Sequence, residues 1–256
     1  MELSTELAAL CGLALLAGFV DAVVGGGGLI QIPALFVLLP ELAPATLLGT
    51  NKFASIWGTA SATAQYLRRV PLEWRATLPT AATALAFGFI GARTAAAVPP
   101  AVFRPVILAL LVGVLAYTLW KKDIGQLHAP RLNHAQQFWT GLGVGAAIGF
   151  YDGFFGPGTG SFLVFAFVGL FGFSFLAASA SAKVINVMTN LAALAYFVHA
   201  GFVRYDIALP MAVFNVLGAQ IGSILAIRKG SGFVRRLFIG VVLVLILRYA
   251  WDLLAG

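Results

Sequence analysis

Long apolar runs recur along the whole chain, and no other feature narrows its folding options as far. They fall at 7–24, 28–40, 44–67, 76–97 and 102–120, and again at 137–155, 160–173, 175–198, 206–227 and 233–254. A helix needs about 20 apolar residues to cross the ~30 Å hydrocarbon layer of a bilayer. A soluble core explains one such run but not a series of them. Of the 256 residues, 61% are hydrophobic and only 10% are charged, too few to coat a water-soluble surface. The chain is therefore expected to be an all-α, polytopic transmembrane bundle with the lipid bilayer as a partner.

The net charge is +7, but the basic residues sit in short loops between apolar runs. That is the placement of a topology signal and of contact with anionic lipid, so nucleic acid is not an expected partner. The single cysteine, Cys11, excludes an intrachain disulfide and a cysteine-based metal site. The start of the chain, Met1-Glu2-Leu3-Ser4-Thr5-Glu6, has no basic region, so a cleaved signal peptide is not expected.

The chain also repeats itself. A shift of 131 residues carries Asp21 to Asp152 and Lys52 to Lys183 without a gap. It carries Gly18-Phe19-Val20-Asp21 onto Gly149-Phe150-Tyr151-Asp152, and Gly25 and Gly27 onto Gly156 and Gly158. Pro79 falls on Pro210, Gly91 on Gly222 and Trp120 on Trp251. Glycine and alanine align by chance in such a composition, whereas Asp, Lys, Pro and Trp at one constant offset do not. The expected organisation is a first repeat over 1–120, a polar linker over 121–136 and a second repeat over 137–256.

Loop charges then orient the repeats. Arg68, Arg69 and Arg75, Lys121, Lys122 and Arg131, and Arg228, Lys229, Arg235 and Arg236 concentrate the positive charge in three places. Positive loops stay cytoplasmic, which puts the linker inside and both termini outside. Loop 68–75 is basic while its repeat partner 199–206 is not, and the reverse holds for loops 98–104 and 228–236. The halves are thus expected to have inverted topology, the hallmark of secondary transporters with a site where the halves meet. Inversion requires an odd number of crossings in each half. Segment 28–40 either crosses as a short helix or folds back as a re-entrant one, and the sequence leaves both open.

Charged side chains inside a span cost about 2.5–3.5 kcal/mol each on insertion scales and are functional candidates for that reason. Asp21, Lys52, Asp152 and Lys183 are such residues. The carboxylates are expected either to pair with the lysines or to carry a coupling proton. Each Asp precedes a glycine-rich break: Gly25-Gly26-Gly27-Gly28 and Gly156-Pro157-Gly158-Thr159-Gly160. Non-helical backbone is tolerated in a membrane only where it is buried in protein or lines a watery cavity. The helix that resumes presents free N–H groups and a positive dipole end, which favour an anion. Gly26, Gly27, Gly28, Gly158, Thr159 and Gly160 are therefore candidate contacts. Thr50 and Asn51 stand beside Lys52, with Ser55, Thr59 and Thr63 following at helical spacing. Asn186 and Asn190 follow Lys183 in the same way. Lysines with amides and hydroxyls on one face suit a small oxyanion. Gln31, Gln65, Asn215 and Gln220 are weaker candidates, and His199 lies near an outer loop.

Gly18-Phe19-Val20-Asp21, the Gly25–Gly28 run, Ile32-Pro33-Ala34-Leu35 and Thr50-Asn51-Lys52 resemble the sulfite exporter TauE/SafE family of membrane permeases. The stretch around Asp152, Gly156–Gly160 and Lys183 looks like that family's second repeat. It departs in two places: Ser181-Ala182-Lys183 replaces Thr-Asn-Lys, and Val164 stands opposite Pro33. The resemblance implies transport of a sulfur-containing anion such as sulfite, sulfoacetate or another sulfonate, in a prokaryotic inner membrane.

The same residues also suit an anion channel. A pair of membrane carboxylates has a superficial likeness to an intramembrane aspartyl protease, but no Gly-x-Gly-Asp motif accompanies them. No phosphate-binding Gly-x-x-x-x-Gly-Lys-Ser/Thr loop and no metal-ligand cluster occurs, so neither a cofactor nor a resident metal is expected, and no enzyme activity. Monomer and homodimer are both compatible with a site supplied by one duplicated chain.

Overall fold

The computed structural model describes the backbone of residues 2–99 and 131–255, with side chains over 5–99 and 131–230 and at Phe233 and Arg236. Apolar segment 102–120 and linker residues 121–130 lie outside the described residues. Among the described residues the chain is all helix with no strand. This is what an apolar backbone must do when no water is present to bond its N–H and C=O groups.

The helices are α1 (Glu2–Val24), α2 (Gly28–Leu38), α3 (Pro44–Leu67), α4 (Trp74–Ala97), α5 (His134–Phe154), α6 (Thr159–Ala166), α7 (Phe175–His199) and α8 (Tyr205–Ala255). A π-turn, Phe167–Phe171, continues α6, and Gly230 breaks α8 with φ 70°. α5 starts three residues before its apolar run because Asn133 and Gln136 form a capping box there.

Among the described residues, three stretches are long and apolar enough to cross a bilayer: Thr5–Val24, Phe175–His199 and Tyr205–Gly230. α3 has the length, at 24 residues, but spends apolar character on Thr50, Asn51, Lys52, Thr59 and Thr63, all of which are buried. Gly28–Leu38 and Thr159–Phe171 are apolar but short.

Both short segments pack against the helix that precedes them. α2 returns along α1, so that Leu35 and Leu39 pack in one cluster with Leu10 and Ala14. Its counterpart returns to the start of α5, where Arg131 N–H donates to Phe171 C=O at 3.0 Å. Each reversal follows a glycine in the left-handed region, Gly25 at φ 78° and Gly156 at φ 95°, a conformation that side chains other than glycine rarely adopt.

The most extensive helix contacts are α4 on α5 and α1 on α8, followed by α3 on α8 and α4 on α7, with α3 and α7 meeting at the centre. The 131-residue shift exchanges the members of these pairings. It also relates two of their close approaches: Gly91 lies against the Phe150 carbonyl, and Gly222 against the Phe19 carbonyl. At each place a Cβ would collide with backbone.

Candidate functional site

The buried charges meet where the broken helices cross. Gly25 and Gly160 touch backbone to backbone, so that a Cβ on either would overlap the other. Ser161 N–H donates to Gly25 C=O at 3.1 Å. A helix end leaves its last carbonyls without intrahelical partners. The last turn of α1 resolves this with three hydroxyls: Tyr66 donates to Ala22 C=O (3.0 Å), Ser179 to Val23 C=O (3.2 Å) and Ser161 to Val24 C=O (3.1 Å). The break is therefore held open by built-in partners from both halves of the chain.

Beside this crossing the charges pair across the halves. Lys52 Nζ lies 2.7 Å from Asp152 Oδ2, and Lys183 Nζ lies 3.1 Å from Asp21 Oδ2. Thr59 also donates to Asp21 Oδ2, at 3.2 Å. The two carboxylates face lysines rather than each other, which is not the arrangement of a carboxylate dyad sharing one proton.

A cavity opens against these groups. α1 contributes Asp21, and α3 contributes Asn51, Lys52, Ser55 and Thr59. α5 supplies Asp152, and α7 supplies Asn186 and Asn190. The helix starts supply Gly27, Gly28, Thr159 and Gly160, with Gly25 and Gly156 from the breaks. Gln31 from α2 and Asn215 from α8 complete the wall, joined by a 3.0 Å bond from Asn215 Nδ2 to Gln31 Oε1. Three buried side-chain atoms on this wall have no hydrogen-bond partner: Gln31 Nε2, Asn51 Oδ1 and Asn186 Oδ1. Unpaired buried polar atoms are costly, and a polar group in this cavity would relieve that cost.

Other sequence candidates lie elsewhere. Thr50 Oγ1 accepts from Arg204 N–H at 3.1 Å and so fastens α3 to the 200–204 connection. Lys183 stands behind Asp21 and does not line the cavity, and neither do Gly26 and Gly158. Gln220 and His199 are exposed, and Gln65 is outside the wall. Among the described residues no group of three or more His, Cys, Asp and Glu is placed to hold a metal ion.

The sequence profile of the sulfite exporter TauE/SafE family matches residues 10–249. A probable membrane transporter protein, ORF9, of Sinorhizobium sp is 37% identical over 246 residues, covering 96% of this chain and 93% of that protein. Probable membrane transporter protein YfcA of Escherichia coli K12 is 35% identical over 244 residues, covering 94% and 88%. A probable membrane transporter protein of Haemophilus influenzae is 33% identical over 246 residues, covering 96% and 95%. No solved structure matches the chain. On the profile match and these full-length relatives, the chain belongs to the sulfite exporter TauE/SafE family.

Proposed function

We propose that the chain is a secondary transporter that exports a small sulfur-containing anion, such as sulfite or an organosulfonate, across a prokaryotic inner membrane. The observation that carries this reading is the cavity itself. Lys52, the starts of two helices and the unpaired Gln31 Nε2 donor converge on one small space beside two crossed ion pairs. Ammonium, amide N–H and helix N-termini are the groups that bind oxyanions.

Two inverted-topology repeats, 1–120 and 137–256, build this site between them, joined by a cytoplasmic linker at 121–136, with both termini outside. The interchange of helix pairings under the 131-residue shift supports that arrangement. We read α2 and the segment Thr159–Phe171 as the short returning legs of the two halves. Of the two carboxylates, Asp21 and Asp152, one couples flux to protons by giving up its lysine as an anion enters, and the other serves as a lysine partner.

The test is flux in liposomes holding the purified protein, with sulfite, sulfoacetate, other sulfonates and carboxylates as substrates. A carrier gives saturable flux that unlabelled substrate on the opposite side accelerates, with sulfur oxyanions preferred. Non-saturating flux without that acceleration would mean a channel, and preference for carboxylates would overturn the substrate class.

A further inference from the structure

The two ion pairs are related by the repeat, yet they are not equivalent. Lys52 and Asp152 meet at 2.7 Å with side chains only 4% and 6% exposed. Lys183 and Asp21 meet at 3.1 Å, and Asp21 is 17% exposed against 1% for Lys183. Lys52, Asp152 and Asp21 line the cavity, while Lys183 does not. Both side-chain bonds to Asp21, from Lys183 and Thr59, fall on Oδ2, which leaves Oδ1 as the oxygen for a proton.

The charges around Asp21 sum to zero. α7 brings Lys183, and across the cavity stand Lys52 from α3 and Asp152 from α5. Tyr66 of α3 is bonded to the neighbouring Ala22 carbonyl. α2, α6 and α8 contribute only uncharged groups to the wall: Gln31, Thr159 and Asn215. A bare anion entering such a balanced, mostly buried site leaves one negative charge uncompensated, which is strongly unfavourable in a low-dielectric interior.

We infer that the site takes a monovalent anion together with one proton, and that Asp21 carries the proton. This rests on the carrier reading above. A proton from water bonds to the Asp21 carboxylate, converting it to the neutral acid. Lys183 loses its ionic partner, and its charge then offsets that of the anion held against Lys52 and the helix starts. On the far side the anion leaves, the O–H bond breaks, the proton returns to water and the Lys183–Asp21 pair re-forms. One anion and one proton cross in the same direction, and no net charge moves. Asp152 stays ionised throughout, held by the tighter contact with Lys52. A dianion would need a second proton, for which the site has no free carboxylate, so sulfate is excluded.

The experiment uses liposomes with an internal pH dye and a potassium–valinomycin clamp. Methanesulfonate, whose charge stays at −1 at every working pH, is the probe, with hydrogensulfite beside it. The expected result is one proton taken up per anion, flux insensitive to the imposed potential, and no flux of sulfate. Asp21→Asn is expected to lose proton movement and the pH dependence of flux, whereas Asp152→Asn keeps both at a lower flux. Because Asp21→Asn strands Lys183, the double variant Asp21→Asn with Lys183→Met is measured as well, with the same loss expected. Potential-driven anion flux without protons overturns the inference and leaves the carrier reading standing. Proton coupling that survives Asp21→Asn but not Asp152→Asn also overturns it. No flux of either anion by folded wild type removes both the inference and the carrier reading.

Discussion

Lys52 and Asp152 are 100 residues apart in the chain and meet at 2.7 Å in the middle of the bundle. The repeat counterpart of that pair, Lys183 with Asp21, reverses which half gives the cation and which the anion. Each half thus holds the buried charge of the other. Removing one partner of such a pair leaves an unpaired charge where water is scarce, at a cost of about 3–5 kcal/mol. Lys52→Met is accordingly expected to lower thermal stability in detergent sharply. Adding Asp152→Asn to it is expected to restore most of the loss. Equal stability of the single and double variants would argue that Asp152 has another partner.

Lys52 also faces the cavity, where the proposed anion would meet its ammonium group. A charge-assisted hydrogen bond is worth about 1.5–3 kcal/mol. Lys52→Met with Asp152→Asn is therefore expected to raise the KM of anion flux by about 10–100-fold. Titration of initial rates against substrate concentration reads this out.

Asn186 Oδ1 is buried without a partner on the cavity wall. An unsatisfied buried acceptor costs about 1–3 kcal/mol, so removing it costs the fold little or nothing. Asn186→Leu is expected to keep the melting temperature at or above that of wild type while weakening anion binding through loss of the amide Nδ2 donor on the cavity wall. A loss of stability with unchanged KM would mean that Asn186 holds the helices together instead.

Thr50 makes the opposite case. It sits next to Asn51 and Lys52 in sequence but bonds Arg204 N–H instead of facing the cavity. Thr50→Val is expected to cost about 1 kcal/mol of stability and leave KM unchanged. Detergent unfolding and flux kinetics on one preparation separate the two effects.

Gly25 combines φ 78° with backbone contact to Gly160. Left-handed backbone costs a residue with a Cβ about 1–2 kcal/mol, before the collision with Gly160 is counted. Gly25→Ala is expected to reduce both folded yield and flux. Gly143→Ala in α5, where a Cβ meets nothing within 4 Å, is expected to do neither.

Much of this site could be read from the sequence because it is duplicated. A single offset pairs Asp21 with Asp152 and Lys52 with Lys183, and the glycine runs beside each Asp mark the breaks. Helical spacing brought Ser55, Thr59, Asn186 and Asn190 to one wall, as the structure has it. Which Asp meets which Lys was not legible, because pairing across halves depends on how the halves interlock. Gln31 and Asn215 carried little signal because the repeat places Phe162 and Ala84 opposite them, so nothing reinforced either. Thr50 misled because adjacent residues on a helix point about 100° apart. The buried polar face of α3 explains another gap between sequence and structure: the residues that build the site are those that dilute the apolar pattern of its helix.

The cavity between the crossed pairs is the proposed transport site for a sulfur oxyanion. The most direct measurement is counterflow of radiolabelled sulfite into sulfite-loaded liposomes, comparing wild type with the charge-neutral double variant Lys52→Met, Asp152→Asn. Saturable, trans-stimulated uptake is expected of wild type, and little uptake of an equally well folded double variant. Uptake by the double variant with an unchanged KM would contradict it, and would place the path of the anion elsewhere in the bundle.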